Sequence, residues 1–501
     1  MSHTRGKVFL VGGGPGDPDL LTLRGAQCLA AADVVLYDYL INPNVLAHAR
    51  ESAQLICVGR HGRDRILSQD EINALMVEHA QAARQVVRLK GGDPIVFARI
   101  AEEIAALEAA GIAYEIVPGI TAALAVGSYA GIPLTQGDTS SAVALVTGHE
   151  RDDKPQSLDY AGLACFPGTL VFYMGITTAE HWAAALIAEG KSPETPVAIV
   201  RRVSMPDQQT IPCTLGTVVD VIKQHKLRPP ALIIVGEVAR AASLHDWFSA
   251  RPLFGKRVLV TRAAHQAPEL VTKLSTLGAD VLVQPAIEIG PPDDWAAVDH
   301  AIKRLPSFDW LVFSSSNGVR SFLDRLLETR DLRALAGLRI AAIGPGSAEE
   351  LSRYHLRADI VPEEYRAEAL ADSLRSEAAR GARFLLVRAS RGREVLAEQL
   401  AGQGGHVEQA VVYNSRDVAT AEPEILSQLA DGKIDWVTVT SSAIARSVVR
   451  LLGEGLRRTR LVSISPITSG ALAELGHEVS AEASPYTMAG LVAAILAAEG
   501  K

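Results

Sequence analysis

The second half of the chain repeats itself, and that repeat narrows the possible folds more than any other feature. RVLVTRA, starting at Arg257, returns as RFLLVRA at Arg383, 126 residues on. FDWLVFSSS around Asp309 returns as IDWVTVTSS around Asp435 at the same offset. AIGPGSAEEL returns as SISPITSGAL, with Pro345 and Pro466 separated by 121 residues, as are Tyr365 and Tyr486, and Leu370 and Leu491. Three blocks in one order describe two similar lobes over residues 255–501. Two lobes make a cleft, and ligands sit in clefts.

Throughout the chain, short apolar runs alternate with amphipathic stretches: VFLVG, ADVVLYD, VVRLKGGD, VALVTGH, TLVFYMG, TPVAIV, ALIIVGEV. Strands separated by helices predict an α/β fold with mainly parallel sheets. At 501 residues the chain exceeds one core. A helical stretch ending near Trp247, a Ser–Ala–Arg–Pro connection and a strand from Arg257 place the boundary near Phe254, giving domains 1–250 and 255–501. In the second, PAIEIGP and VVYNSRD read as strands crossing between lobes. One lobe then takes about 255–288 with 416–501 and the other about 289–415.

A net charge of −8 excludes wholesale nucleic-acid binding, so an anionic substrate must meet local basic clusters. Cys28, Cys57, Cys165 and Cys213 show no CxxC spacing and read as thiols in a reducing cytoplasm, with no zinc site. The most apolar stretch, 120–134, is broken by Gly127, Ser128, Gly131 and Pro133, too soon to span a bilayer.

VFLVGGGPGDPDLLTLRG opens the first domain. Gly12 and Gly14 fit the dinucleotide fingerprint G-x-G-x-x-G, but its third glycine falls on Asp17. Asp17 and Pro18 read instead as a helix N-cap and first helical residue. Bare glycine backbone still allows close approach, so a nucleotide-like ligand and a plain tight turn both remain open.

Taken with ADVVLYD, VVRLKGGDP, VPGITAA, AGIPLT, VTGH, LVFYMG and PALIIVGEV in that order, residues 6–248 resemble the uroporphyrinogen-III C-methyltransferases of the tetrapyrrole methylase group. The resemblance implies two α/β lobes, with S-adenosylmethionine in the groove between them. It also implies methylation of uroporphyrinogen III at C2 and C7 to precorrin-2, with S-adenosylhomocysteine as by-product, and a homodimer through this half. Cofactor contacts then fall on Pro15, Gly91, Gly92, Asp93, Val96, Thr121, Ala122, Met174 and Ala231, with Leu232 beside it. Asp93 suits a methionine amine or ribose hydroxyls ahead of the plainer reading, an N-cap before Pro94. Asp38 matches a proton acceptor, or ends its strand in a turn. Arg60 replaces a lysine regarded as proton donor; arginine is a poor acid and a good anion clamp. With His61, Arg63 and Arg65 it makes a basic cluster for a substrate of eight carboxylates. Arg99 and Glu102 match substrate-contacting positions. FARIAEE, Gln136–Gly137 and Val203 depart from the related pattern.

TRA, FSSSNGV, IGPGSAEEL, VVYNS, TSSA and SPITSGAL resemble uroporphyrinogen-III synthase over residues 255–501. The resemblance implies cofactor-free closure of hydroxymethylbilane with inversion of the last ring, for which Tyr413 assists hydroxyl departure, or equally is a structural tyrosine with its hydroxyl bonded to backbone. Ser347, Ser441, Ser442 and Thr468 are candidates to bind carboxylates through backbone N–H groups, or to cap helices. Arg262, Arg388, Arg391 and Arg393 are further anion-binding candidates. Together the halves imply a bifunctional enzyme of the sirohaem and cobalamin branch, with tetrapyrroles as partners and no nucleic acid or membrane. Two rivals stay open: an S-adenosylmethionine sensor regulating the synthase, and a nicotinamide oxidoreductase. The broken third glycine weighs against the latter, so NADH titrated into the purified chain should neither bind nor turn over.

Overall fold

The computed structural model describes residues 6–59, 67–150, 157–242, 246–392 and 394–501. It forms two compact units: one runs to Lys256 and takes in Ser275–Asp280, the other holds Arg257–Leu274 and Val281–Lys501.

In the first unit, strands β1 (Lys7–Gly12), β2 (Val34–Tyr37), β3 (Gln54–Cys57), β4 (Val86–Lys90) and β5 (Ala113–Val117) make one sheet in the order β3-β2-β4-β1-β5. Every pair is parallel. Their nearly continuous apolar runs follow from coverage on both faces. Val8, Leu10, Leu36 and Val86 pack with Met76 and Leu107 of helices Gln69–Gln81 and Ile100–Ala109, while Val11, Val35 and Val87 pack with Cys28 and Leu29 of helix Leu23–Ala31. The reciprocal Ser68–Glu71 capping box starts helix Gln69–Gln81. Asp17 does cap, with Pro18 first, but the element is a single tight turn, Pro18–Leu20, and the true helix waits for Thr22 as its cap.

The second sheet contains β6 (Val143–Thr147), β7 (Thr169–Tyr173), β8 (Pro196–Arg201), β9 (Gln209–Thr214) and β10 (Ala231–Val235), in the order β6-β7-β10-β8-β9. Only β6–β7 is parallel; β10 pairs antiparallel with β7 and β8, and β8 with β9. Residues 202–208 are too few for a crossover, which forces β9 to return alongside β8.

The second unit reproduces the sequence repeat strand for strand. One sheet holds β11 (Arg257–Val260), β12 (Asp280–Val283), β18 (Trp436–Val439), β19 (Arg460–Ser463) and β20 (Ala481–Glu482), in the order β12-β11-β18-β19-β20. The other holds β13 (Ile287–Gly290), β14 (Trp310–Phe313), β15 (Arg339–Ala342), β16 (Arg383–Ala389) and β17 (His406–Asp417), in the order β13-β17-β16-β14-β15. Thus β11-β18-β19 and β16-β14-β15 are the same parallel triplet. The bridge of Ile360 to Ala341 stands where β20 meets β19. PAIEIGP and VVYNSRD meet as the antiparallel pair β13–β17, Ile287 opposite Asp417 and Gly290 opposite Asn414.

The matching residues do matching work. Asp309 accepts from the N–H of Arg383 at 2.8 Å, and Asp435 from that of Arg257 at 2.8 Å, fixing the start of each neighbouring strand. Trp310 and Trp436 are buried beneath the guanidinium groups of Arg339 and Arg460, 4.3 and 4.2 Å from the ring centres. Asp309→Ala and Asp435→Ala should each destabilise this unit by about 1 kcal/mol in denaturant unfolding. A loss in one lobe only would show that the aspartates are not equivalent.

Candidate active sites

Three loops converge at the carboxyl edge of the first sheet, after β1, β4 and β5. Gly13 N–H donates to the carbonyl of Lys90 at 2.8 Å, and Gly14 and Gly92 exchange backbone bonds at 3.2 and 2.7 Å. Gly14 and Gly92 have φ of +78° and +69°, a region that favours glycine. Gly119 closes the triangle: a Cβ there would lie 2.2 Å from the Gly92 carbonyl oxygen and 2.7 Å from the Gly12 Cα.

Asp93 ties the loops together. Its Oδ1 accepts from Ile95 N–H at 2.8 Å and its Oδ2 from Gly119 N–H at 3.0 Å. The N-cap foreseen before Pro94 is not formed, because residues 94–96 make a turn and the next helix starts at Ile100; Asp93 closes that turn instead, and its carboxylate also bridges two loops. The Val96 N–H returns to the Asp93 carbonyl at 3.3 Å. Pro15, Gly91, Gly92, Asp93, Val96, Thr121 and Ala122 thus gather on the loops of this one edge.

The second sheet supplies Tyr173, which the sequence reading passed over. Its hydroxyl lies 2.6 Å from Thr121 Oγ1 and accepts from Ala123 N–H at 2.8 Å. Burial pushes the phenol up. Met174 follows at φ +53°, with 47% of its surface exposed. Leu232 pairs with Tyr173 in register, so Ala231 begins its strand beside Met174. The glycine loop is pinned from the same side: Tyr129 donates to Asp17 Oδ2 at 2.8 Å, and Asp17 N–H to Ser204 Oγ at 2.9 Å. Val203 is buried, and its carbonyl oxygen would lie 3.0 Å from a Cβ at Gly16. Gln136 closes a tight turn onto Ser140.

Asp38, at the end of β2, leads into a buried charge cluster. Arg88 Nη2 lies 2.5 Å from Asp38 Oδ1, Arg88 Nε 3.1 Å from Glu103 Oε1, and Lys90 Nζ 2.6 Å from the same Oε1. Arg88 and Lys90 are each 3% exposed and Glu103 is fully buried. Burial, then Arg88, lowers the Lys90 ammonium from its usual range. Arg99 and Glu102 pair on the surface at 2.5 Å, at the start of the helix carrying Glu103. Arg60, His61, Arg63 and Arg65 lie outside the described residues, as does Arg393.

In the second unit a cavity of about 270 Å³ opens at the carboxyl ends of β14 and β16, lined by Ser314, Tyr365, Arg366, Arg388, Arg391 and Tyr413 among others. Ile467 reaches it from the other lobe. Tyr413 is 7% exposed, 3.0 Å from Ser315 Oγ, and burial raises its phenol, which keeps it a donor. Arg388 is held by Glu394 and by Gln409, the latter at 2.7 Å, and Arg391 lies 2.8 Å from Asp417. Arg262, the repeat partner of Arg388, is half-buried; burial lowers it, and its Nε has no partner among the described residues.

Three hydroxyl residues take the capping or helical role instead of facing the cavity. Ser441 accepts from Ile444 N–H at 3.1 Å, and Ser347 and Thr468 are buried, with their N–H groups bonded to the carbonyls of Gly344 and Ser465. Ser442 is the first residue of helix Ser442–Leu452.

A chain carrying two α/β units, each with a site built on strand-end loops, has the makings of a double enzyme. Family models match both parts: tetrapyrrole (corrin/porphyrin) methylases over residues 7–219 and uroporphyrinogen-III synthase over 268–493. The porphyrin biosynthesis protein HemD of Ruminiclostridium josui is 31% identical, covering 98% of this chain and 96% of that protein. The uroporphyrinogen-III C-methyltransferase of Bacillus subtilis (strain 168) is 37% identical over 72% of this chain and 75% of its own length. Among solved structures, uroporphyrin-III C-methyl transferase from Thermus thermophilus with S-adenyl homocysteine is 39% identical, with a TM-score of 0.41, covering 47% and 94% of the two chains. The chain belongs to the family that fuses a tetrapyrrole methylase to a uroporphyrinogen-III synthase, and is a bifunctional enzyme of tetrapyrrole biosynthesis.

Gly119→Ala should destabilise the first unit by about 1–3 kcal/mol, because backbone meets the new Cβ on two sides. Gly137→Ala, with nothing within 4 Å of its Cβ, should change unfolding by less than about 0.5 kcal/mol.

Proposed function

We propose that the second unit closes hydroxymethylbilane to uroporphyrinogen III with inversion of the last ring, without a cofactor. The first unit then methylates the product at C2 and C7, giving precorrin-2. The observation that carries this is the glycine edge of the first sheet. Bare backbone at Gly14, Gly91 and Gly92 lies near Asp93, and exposed Leu40, Phe97 and Met174 supply apolar surface among the same loops. That combination fits S-adenosylmethionine: an uncharged nucleoside, a polar amino-acid end and no phosphates. When bound, S-adenosylmethionine supplies an electrophilic methyl group and leaves as S-adenosylhomocysteine.

The chain's own residues do the rest. Asp38, one-third exposed and clamped by Arg88, takes the proton lost when the ring carbon is methylated. Arg99 and Glu102 meet the substrate at the rim, with Arg60 and Arg63 assigned as carboxylate clamps on residue type alone. In the second unit Tyr413 donates to the departing hydroxyl, while Arg388 and Arg391 attract substrate carboxylates into the cavity; Arg262 offers a further charge from the other lobe. A cytoplasmic location and a homodimer through the first unit belong to the same reading. No helix among the described residues is long and apolar enough to cross a membrane.

The test gives the purified chain hydroxymethylbilane, with and without labelled S-adenosylmethionine, and follows products by absorption and mass. Uroporphyrinogen III alone in the first case, and a doubly methylated ring in the second, are expected. Tyr413→Phe should slow ring closure at least tenfold, roughly the worth of one hydrogen bond to a charged group. Label held only as bound cofactor would make the first unit a sensor, the alternative motivated by the altered QGD and RIAEE stretches at Gln136–Asp138 and Arg99–Glu103.

A further inference from the structure

We infer that Lys90 and Glu103 are positioning residues for Asp38, acting through Arg88 to fix where its carboxylate stands and how readily it takes a proton. This rests on the reading of Asp38 as the base for methyl transfer. Arg88 and Lys90 are two apart on β4, so both side chains leave the same face of the sheet. That face is otherwise Val8, Leu10, Val34, Leu36 and Val86 packed on Met76 and Leu107. Buried ion pairs are seldom the most stable way to fill such a space, and apolar residues would pack it with no desolvation penalty. Perturbed charges of this kind gather where chemistry needs them.

The cluster is sealed at one end and open at the other. Glu103 is fully buried, and its Oε2 has no hydrogen-bond partner among the described residues. Its Oε1 draws Lys90, Arg88 and, at 3.4 Å, Gln69. Arg88 also reaches the carbonyls of Leu36 and Leu89, so its plane is fixed before it meets Asp38. Asp38 is the member that reaches solvent, with 33% of its side chain exposed. Among the described residues, the ionisable groups at these strand ends are Tyr37 at the end of β2 with Asp38 just after it, Cys57 on β3, and Arg88 and Lys90 on β4; Glu103 faces them from its helix. Two cations and two carboxylates cancel, so the charge behind Asp38 is set by whether Lys90 and Glu103 are both present. Loss of Glu103 leaves excess positive charge and a weaker base; loss of Lys90 leaves too little.

The test uses the full chain and four variants: Glu103→Gln, Lys90→Met, the double variant and Asp38→Asn. Labelled methyl transfer to uroporphyrinogen III is followed as kcat against pH. S-adenosylhomocysteine binding, measured by calorimetry, counts the folded sites. Glu103→Gln should move the acid limb to lower pH and Lys90→Met to higher pH, each by roughly 0.5–1 unit, while S-adenosylhomocysteine affinity holds. The double variant should return the limb to its wild-type position with kcat still reduced, and it carries the test where a single variant does not fold. Limbs that stay in place or move in the same direction, or a double variant with wild-type kcat, overturn the inference. Asp38→Asn should lose roughly 100-fold or more in kcat; if it keeps both rate and acid limb, the base reading fails, whatever the other variants do.

Discussion

A strand can pair parallel to its predecessor only if the chain crosses back over one face of the sheet. In both units that requirement puts the carboxyl ends of the central strands along one edge, and the loops that leave them must share a small space. After β1, β4 and β5 the shared space is so tight that backbone touches backbone at Gly12, Gly92 and Gly119. Side chains cannot enter there, so this edge of the first unit is built largely from peptide groups, with Asp93 as the clip. The candidate cofactor positions from Pro15 to Ala122 follow from this one constraint, since they lie on the same three loops, while Met174 and Ala231 come from the second sheet.

The same edge explains why the second sheet matters. Tyr173 and Ser204 reach loops of the first sheet and its following helix, so the edge is held from two sides. Arg202 and Ser204, at φ of +52° and +60°, make the bend on either side of Val203. Val203 itself then packs inward with Val200 and Leu232. The bend keeps the Ser204 hydroxyl on the N–H of Asp17.

Much of this was legible in the residues. Apolar runs located the strands, the 126-residue repeat located the like lobes, and glycines next to Pro15 and Asp93 located the loops. The buried charge cluster was not, for a physical reason. In VVRLKGGD nothing marks Arg88 and Lys90 as buried, and only the packing of helix Ile100–Ala109 shows that Glu103 seals them in. Tyr173 was hidden likewise, because its partners, Thr121 and Ala123, lie some fifty residues away. The antiparallel return of β9 was readable in principle from the short 202–208 connection, but QTIPCT is not an apolar run and none of its residues is fully buried, so nothing in it announces a strand.

The repeat also shows how a symmetric scaffold gains an asymmetric site. Counting back 126 residues, β17 begins opposite the start of β12, Arg388 matches Arg262, and Tyr413 matches Ile287. In one lobe the strand stops at Val283, turns, and restarts as β13, placing an isoleucine in the apolar core with Leu259 and Val437. In the other it runs unbroken from His406 to Asp417, and the residue at the matching point is a tyrosine beside Ser315. Two lobes from one ancestral pattern would offer a substrate two equal ends. In the proposed closure, inverting a single terminal ring needs ends that differ, and the phenol on the longer strand is the group proposed to make them differ.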